Sequence, residues 1–203
     1  MKILILFLMF FSSQLRAHPV IFDDGVMWGQ MMTPDMTDLQ VHYSFRYNWS
    51  FGANAWRFEN AAGEKREYAF AKLNHLLKRW NNADSQGNVY LHSGLGSSRD
   101  SFAWVAGAEA DWESRVWFLS GKWMHFADKV VDQDLYVARV GHSPIIADVN
   151  SLQIWFMLQG QYEKHMSRTV KVTPLLRFFY HNVLWETGAS LDGDYMLSFM
   201  IHY

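Results

Sequence analysis

The sequence predicts an all-β protein, one antiparallel sheet closed into a transmembrane β-barrel, and three observations carry that expectation. Aromatic side chains make up 17% of residues while charged ones make up only 19%. Apolar and polar residues alternate with a period of two in one segment after another, the signature of strands with one greasy and one polar face. The longest apolar run, Ile3 to Phe11, is too short to cross a bilayer as a helix, which needs ~20 residues. Without a spanning helix, a chain that satisfies its backbone inside a membrane must close its strands on themselves.

The N-terminus reads as a secretory signal peptide. Met1-Lys2 is a short charged end, Ile3 to Phe11 an apolar stretch, and Ser12 to Ala17 a polar tail closing on a small residue. Cleavage after Ala17 divides the chain into residues 1–17, the leader, and 18–203, a single barrel domain. Loss of Lys2 and Arg16 from the 18 basic residues leaves 16 against 20 acidic ones, a formal charge of −4. Cysteine is absent, so disulfides and thiolate metal sites are excluded. The near-neutral balance has no basic stripe, which argues against nucleic acid as a partner.

The clearest strand is Leu39, Val41, Tyr43, Phe45, Tyr47 and Trp49 alternating with Gln40, His42, Ser44, Arg46 and Asn48. Looser alternation recurs through Phe102–Ala110, Leu152–Gln159 and Val170–His181. Polar turns carrying Trp49, Trp80 and Trp112 are spaced 31 and 32 residues apart, room for two membrane strands and a loop. Strands are read over residues 25–32, 39–47, 50–59, 67–79, 87–96, 101–110, 114–126, 133–141, 151–161, 169–180, 183–189 and 194–203. That makes twelve strands, or ten if the first and the eleventh are not formed. An even count puts both termini on one side, expected to be periplasmic.

The last strand is the most specific. In Tyr195-Met196-Leu197-Ser198-Phe199-Met200-Ile201-His202-Tyr203, five large apolar groups share one face and the chain ends on an aromatic. This resembles the C-terminal strand of bacterial outer-membrane β-barrel proteins, where the terminal aromatic serves as an assembly signal. The resemblance implies outer-membrane lipid around the barrel, and periplasmic chaperones and the barrel-assembly machinery as partners. It leaves substrate and oligomeric state open.

Three constellations bear on chemistry. His18, Met27, Met31, Met32 and Met36 crowd the mature N-terminus, and thioether with imidazole suits copper. A histidine freed at a chain start chelates through its amine and ring. In that one feature the segment resembles secreted copper proteins with an N-terminal histidine brace. The bland alternative is methionine as a gap-filler. On the expected register Arg46, Lys72, Arg139, Lys171 and Arg177 point into the lumen, with Glu109, Asp111 and Glu186 opposing them. His42, Met196, Met200 and His202 also point inward. Such rows line a selective channel or pair up to stiffen a narrow barrel. Third, serines such as Ser93, Ser97 and Ser143 with His75, His92 or His142 raise a lipid hydrolase. Yet His92 and Ser93, adjacent on a strand, face opposite ways.

Three functional readings follow. The leading one is a passive channel or structural barrel, with a copper-handling role attached to the histidines and methionines and no other cofactor. The others are an outer-membrane lipid-modifying hydrolase and a soluble, lipocalin-like binding barrel. Inward aromatic rows would overfill the core of the last.

Overall fold

The computed structural model describes residues 19–59, 65–98, 101–146, 151–164 and 169–203. The expected leader and His18 lie outside the described residues. Twelve strands form one closed barrel: β1 (Gly25–Met32), β2 (Met36–Arg46), β3 (Trp49–Glu59), β4 (Lys65–Asn81), β5 (Ser85–Ser97), β6 (Phe102–Ser114), β7 (Trp117–Ala127), β8 (Asp132–His142), β9 (Gln153–Glu163), β10 (Lys171–Tyr180), β11 (Val183–Ala189) and β12 (Tyr195–His202). Each strand pairs antiparallel with its neighbours in sequence, and β1 pairs with β12 to close the ring. Closure leaves no unpaired edge.

The start of β1 and the end of β12 lie at one end of the barrel, the near end. There the Val26 N–H donates to the Tyr203 carbonyl and the Tyr203 N–H to that of Val26. Short turns join β2 to β3 and β10 to β11 at this end, the latter with His181 in the left-handed region at φ 52°. The opposite, far end carries the β1–β2, β3–β4, β5–β6, β7–β8, β9–β10 and β11–β12 connections.

Side-chain parity follows the sequence pattern. Val41 and Phe45 are each 45% exposed on the outer face, while His42 and Ser44 between them are buried inside at 1%. The same holds on β9, where Phe156 and Leu158 face outward and Trp155, Met157 and Gln159 inward. A continuous apolar exterior of this kind requires an apolar medium.

Three departures from the sequence reading have physical causes. Strands β4 and β6 run longer than expected, so Trp80 and Trp112 lie within strands instead of turns. The polar residues taken for turn signals continue the inward alternation, with the Asn88 amide on β5 donating to Asp111 on β6 at 2.7 Å. Trp80 and Trp112 then both pair with Gly87, and the Trp80 ring covers that glycine so closely that a Cβ would fall 2.2 Å from Trp80 Cε2. Second, Arg46 does not face the lumen. A bulge between Tyr43 and Arg46 shifts the β2 register and sets Arg46 opposite Trp49, leaving it exposed on the outside. Third, Met32 pairs with Thr37 and Leu197 on outward positions, unlike Met27 and Met31 beside it.

Candidate functional site: a divided lumen

The interior is built from two unlike halves. On β3 to β7 the inward residues toward the far end are large and aromatic. Tyr68, Phe70, Ala103, Val105, Met124 and Phe126 form a buried cluster, with Trp56, Phe58, Val131 and Leu135 packed on it. Phe126 stands edge-on to Tyr68 at 4.8 Å and to Phe70 at 5.9 Å between ring centroids, geometries that aromatic quadrupoles favour. The outward neighbours on β3 and β4 are alanines, Ala53, Ala55, Ala69 and Ala71, so the usual assignment of bulk to lipid is reversed here.

Asp128 fastens this half at its far end. Its carboxylate accepts the Val130 and Val131 N–H groups at 2.6 Å, the Tyr68 hydroxyl at 2.7 Å and the Ser101 hydroxyl at 3.1 Å. Burial pushes this carboxyl up, but the donors more than offset it and hold it below the usual carboxylate range.

Below the aromatics, toward the near end, runs a polar chain. His42 Nε2 lies 2.9 Å from Asn54 Oδ1, and the Asn74 amide meets His42 Nδ1. His92 Nδ1 reaches Asn74 Oδ1 at 2.8 Å. Glu109 then lies 3.4 Å from His92 Nε2 and 3.6 Å from Lys122 Nζ. Gly52, inward beside His42, leaves the space its ring needs: a Cβ there would fall 2.8 Å from His42 Cγ. The start of the described chain closes the near side of this region. Val20 is buried against Leu76 and Tyr90, the Pro19 carbonyl accepts the Ser50 hydroxyl at 2.7 Å, and the Ile21 N–H donates to Ser44 Oγ at 3.1 Å.

The other half, β8 to β12 with β1 and β2, is less filled: Trp155, Met157, Leu175 and Met196 form a smaller buried cluster with Phe118 of β7, and Met31 packs on it. A cavity of ≈ 800 Å³ extends from near-end residues such as Asp84 and Arg115 to Met36, Asp38 and Gln161 toward the far end. Glu186 on β11, 2% exposed, is held between two guanidinium groups. Arg177 Nε donates to it at 2.7 Å, and Arg139 Nη1 at 3.2 Å while Arg139 Nε donates to Gln159 at 2.7 Å. The Arg177 guanidinium also lies 4.5 Å from the Phe118 ring centroid, a cation–π distance. At the far end Lys171 pairs with Asp194 at 2.6 Å and with Asp35 at 3.5 Å, tying two turns across the mouth.

The sequence-derived candidates thus fall into distinct places. His42, Lys72, Glu109, Arg139, Arg177, Glu186, Met200, Met27, Met31 and Met36 line the cavity. Met196 and His202 are buried on the inner face behind it. Arg46 and Met32 point away from the lumen. Among the described residues no three His, Asp or Glu side chains gather as a metal site. His92 and Ser93 face opposite sides of β5, one buried and one exposed, so they make no hydrolytic pair. The aromatic cluster and the Val20 contact were not anticipated. The available signal was the alternation of alanine with aromatics on β3 and β4.

This fold, with its lumen, is that of a small outer-membrane β-barrel protein. Among solved structures the chain is similar to KdgM porin, with a TM-score of 0.55 at 8% identity over 88% of this chain and 98% of that one. A KdgM porin in complex with disordered oligogalacturonate aligns over the same shares, with a TM-score of 0.54 and 8% identity. OccK8 (OprE) of Pseudomonas aeruginosa aligns at a TM-score of 0.41 and 8% identity, over 83% of this chain and 57% of that one. No protein-family model matches the sequence, and no curated protein matches it.

Proposed function

We propose that the mature chain, exported by a leader removed after Ala17, is an outer-membrane channel for small polar solutes, with both termini in the periplasm. The observation that carries this reading is the ≈ 800 Å³ cavity, lined from one side by Lys72, His92, Glu109 and Lys122 and from the other by Arg139, Arg177 and Glu186. Its charged lining is balanced: Lys72, Arg115, Lys122, Arg139 and Arg177 against Asp38, Asp84, Glu109, Glu113 and Glu186. Balanced rows of opposite charge favour neutral or zwitterionic solutes over either ion alone. An acidic sugar chain such as the one in the KdgM complex would need an excess of basic groups. Here the two arginines of the less filled half already converge on Glu186.

Single-channel recording of the refolded protein in planar bilayers tests the proposal. The expected result is a small conductance with cation-to-anion permeability near unity, together with uptake of small sugars or zwitterions by liposomes. Absence of conductance in a correctly folded barrel, or strong selectivity for one charge, would overturn it.

A further inference from the structure

The inner face of β12, β1 and β2 carries a second pattern. Met27 on β1 pairs with His202 on one side and His42 on the other. Two residues along β1, Gly29 pairs with Met200; two further, Met31 pairs with Ser198 and Asp38. One step beyond Met32, Met196 and Met36 flank the end of the strand, the Met36 carbonyl accepting the Thr33 N–H. Inward thioethers therefore recur every second residue, ~7 Å apart at the rise of a strand, from the far end to the rung of His202. The space over Gly29 is shared by the Gln40 side chain and Met27, a Cβ there falling 3.1 Å from Gln40 Nε2. A Cβ at Gly29 would lie 3.4 Å from Met27 Sδ, so that sulfur leans toward the rung of Met200.

The two histidines flanking Met27 differ. His42 has both ring nitrogens engaged, by Asn54 and Asn74. His202 is 2% exposed, and among the described residues neither its Nδ1 nor its Nε2 has a hydrogen-bond partner. A buried polar group is ordinarily paired, and one left without a partner calls for an explanation. Met27, Met31, Met36 and Met200 line the cavity, and the His202 imidazole shares the inner-face rung of Met27.

We propose that Met27, Met200 and the His202 imidazole form a binding site for a soft monovalent d¹⁰ cation, copper(I) or silver(I), which Met31 and Met36 extend toward the far end as a ladder; the Met196 sulfur already accepts the Gln159 amide at 3.7 Å and stays outside it. Thioether sulfur with imidazole nitrogen is a donor set that such ions prefer, and it offers nothing to magnesium or calcium. The site does not depend on conduction, because binding is measured on detergent-solubilised protein whether or not the barrel is an open channel.

The test is titration of the folded, mature protein with silver nitrate in chloride-free buffer and with copper(I) under anaerobic chelator competition. Methionine methyl resonances are followed by NMR. The expected result is saturable binding that shifts the Met27 and Met200 methyls, weakened at least tenfold in His202→Phe and in the Met27→Leu/Met200→Leu double variant. Met124→Leu, in the aromatic half, is expected to leave affinity unchanged. Leucine conserves the volume of methionine, and heat-modifiable migration on gels confirms that each variant folds. Absent binding in the wild type overturns the proposal, as does equal binding by His202→Phe. Equal loss in Met124→Leu overturns it too.

Discussion

The aromatic half of the barrel and its less filled half share the same strands-and-turns scaffold and the same greasy exterior, yet their interiors obey different rules. In the first, Trp56, Phe58, Tyr68, Phe70 and Phe126 fill the lumen as a packed core. In the second, a smaller cluster of Trp155, Met157, Leu175 and Met196 gives way to Arg139, Arg177 and Glu186, which line the cavity. The contrast shows that a closed sheet fixes only the exterior. Whether the inward residues pack as a core or line a cavity is decided locally by whether their partners are rings or ions.

The comparison yields graded predictions. Phe126→Ala removes the ring at the centre of the packed half and should lower stability by about 3–5 kcal/mol, measured by urea unfolding in lipid vesicles. A cost under about 1 kcal/mol would mean the cluster does not behave as a core. Glu186→Gln leaves two guanidinium groups without their anion. Its destabilisation should be about 3 kcal/mol, and bilayer recordings should show selectivity moving toward anions. Unchanged selectivity would detach the clamp from the conducting path. An arginine on the exterior should not distinguish the halves: Leu91→Arg on β5 and Leu158→Arg on β9, both exposed on the outer face, are each expected to cost about 2 kcal/mol near mid-membrane, with Ser44→Arg differing from both. A large gap between the first two would show that the halves meet lipid differently.

The smallest effect concerns pH. Asp128 has its carboxyl held below the usual range by the donors that cap the β7–β8 turn. Its contribution is therefore fully present above the ordinary carboxylate pKa and is lost as pH falls through the lowered value. Amide exchange at Val130 and Val131 should quicken on acidification, and Asp128→Asn should abolish that dependence. The Lys171 link at the other side of the mouth supplies the matched comparison.

The fold was largely legible because alternation, turn residues and the Tyr195–Tyr203 strand all point to one architecture. All twelve strands fall where the sequence places them, with shifts at their ends. What misled were local events that period-two reading cannot see. The bulge after Tyr43 reverses the facing of Arg46. The long β4 and β6 carry Trp80 and Trp112 past the expected turns because Asn88 and Asp111 satisfy each other inside. The aromatic core escaped notice because bulk was assigned to the lipid side, although Ala69 and Ala71 alternating with Tyr68, Phe70 and Lys72 already indicated otherwise. The orphaned ring of His202 depends on what surrounds it in space, which no spacing reveals.

The contacts of Pro19, Val20 and Ile21 also bear on the order of assembly. They reach Ser44, Ser50, Leu76 and Tyr90, residues of β2 to β5, from within the barrel. The first strand is thereby moored twice, by pairing with β2 and by an internal hook, before the far end of the polypeptide is needed. The seam between β1 and β12 joins residues almost the whole chain apart, and bringing such distant segments together is entropically costly. With β1 already moored, that search falls to β12 alone. Cutting the hook, for instance with Val20→Asp, should therefore slow the final closing phase of refolding more than the earlier formation of hairpins.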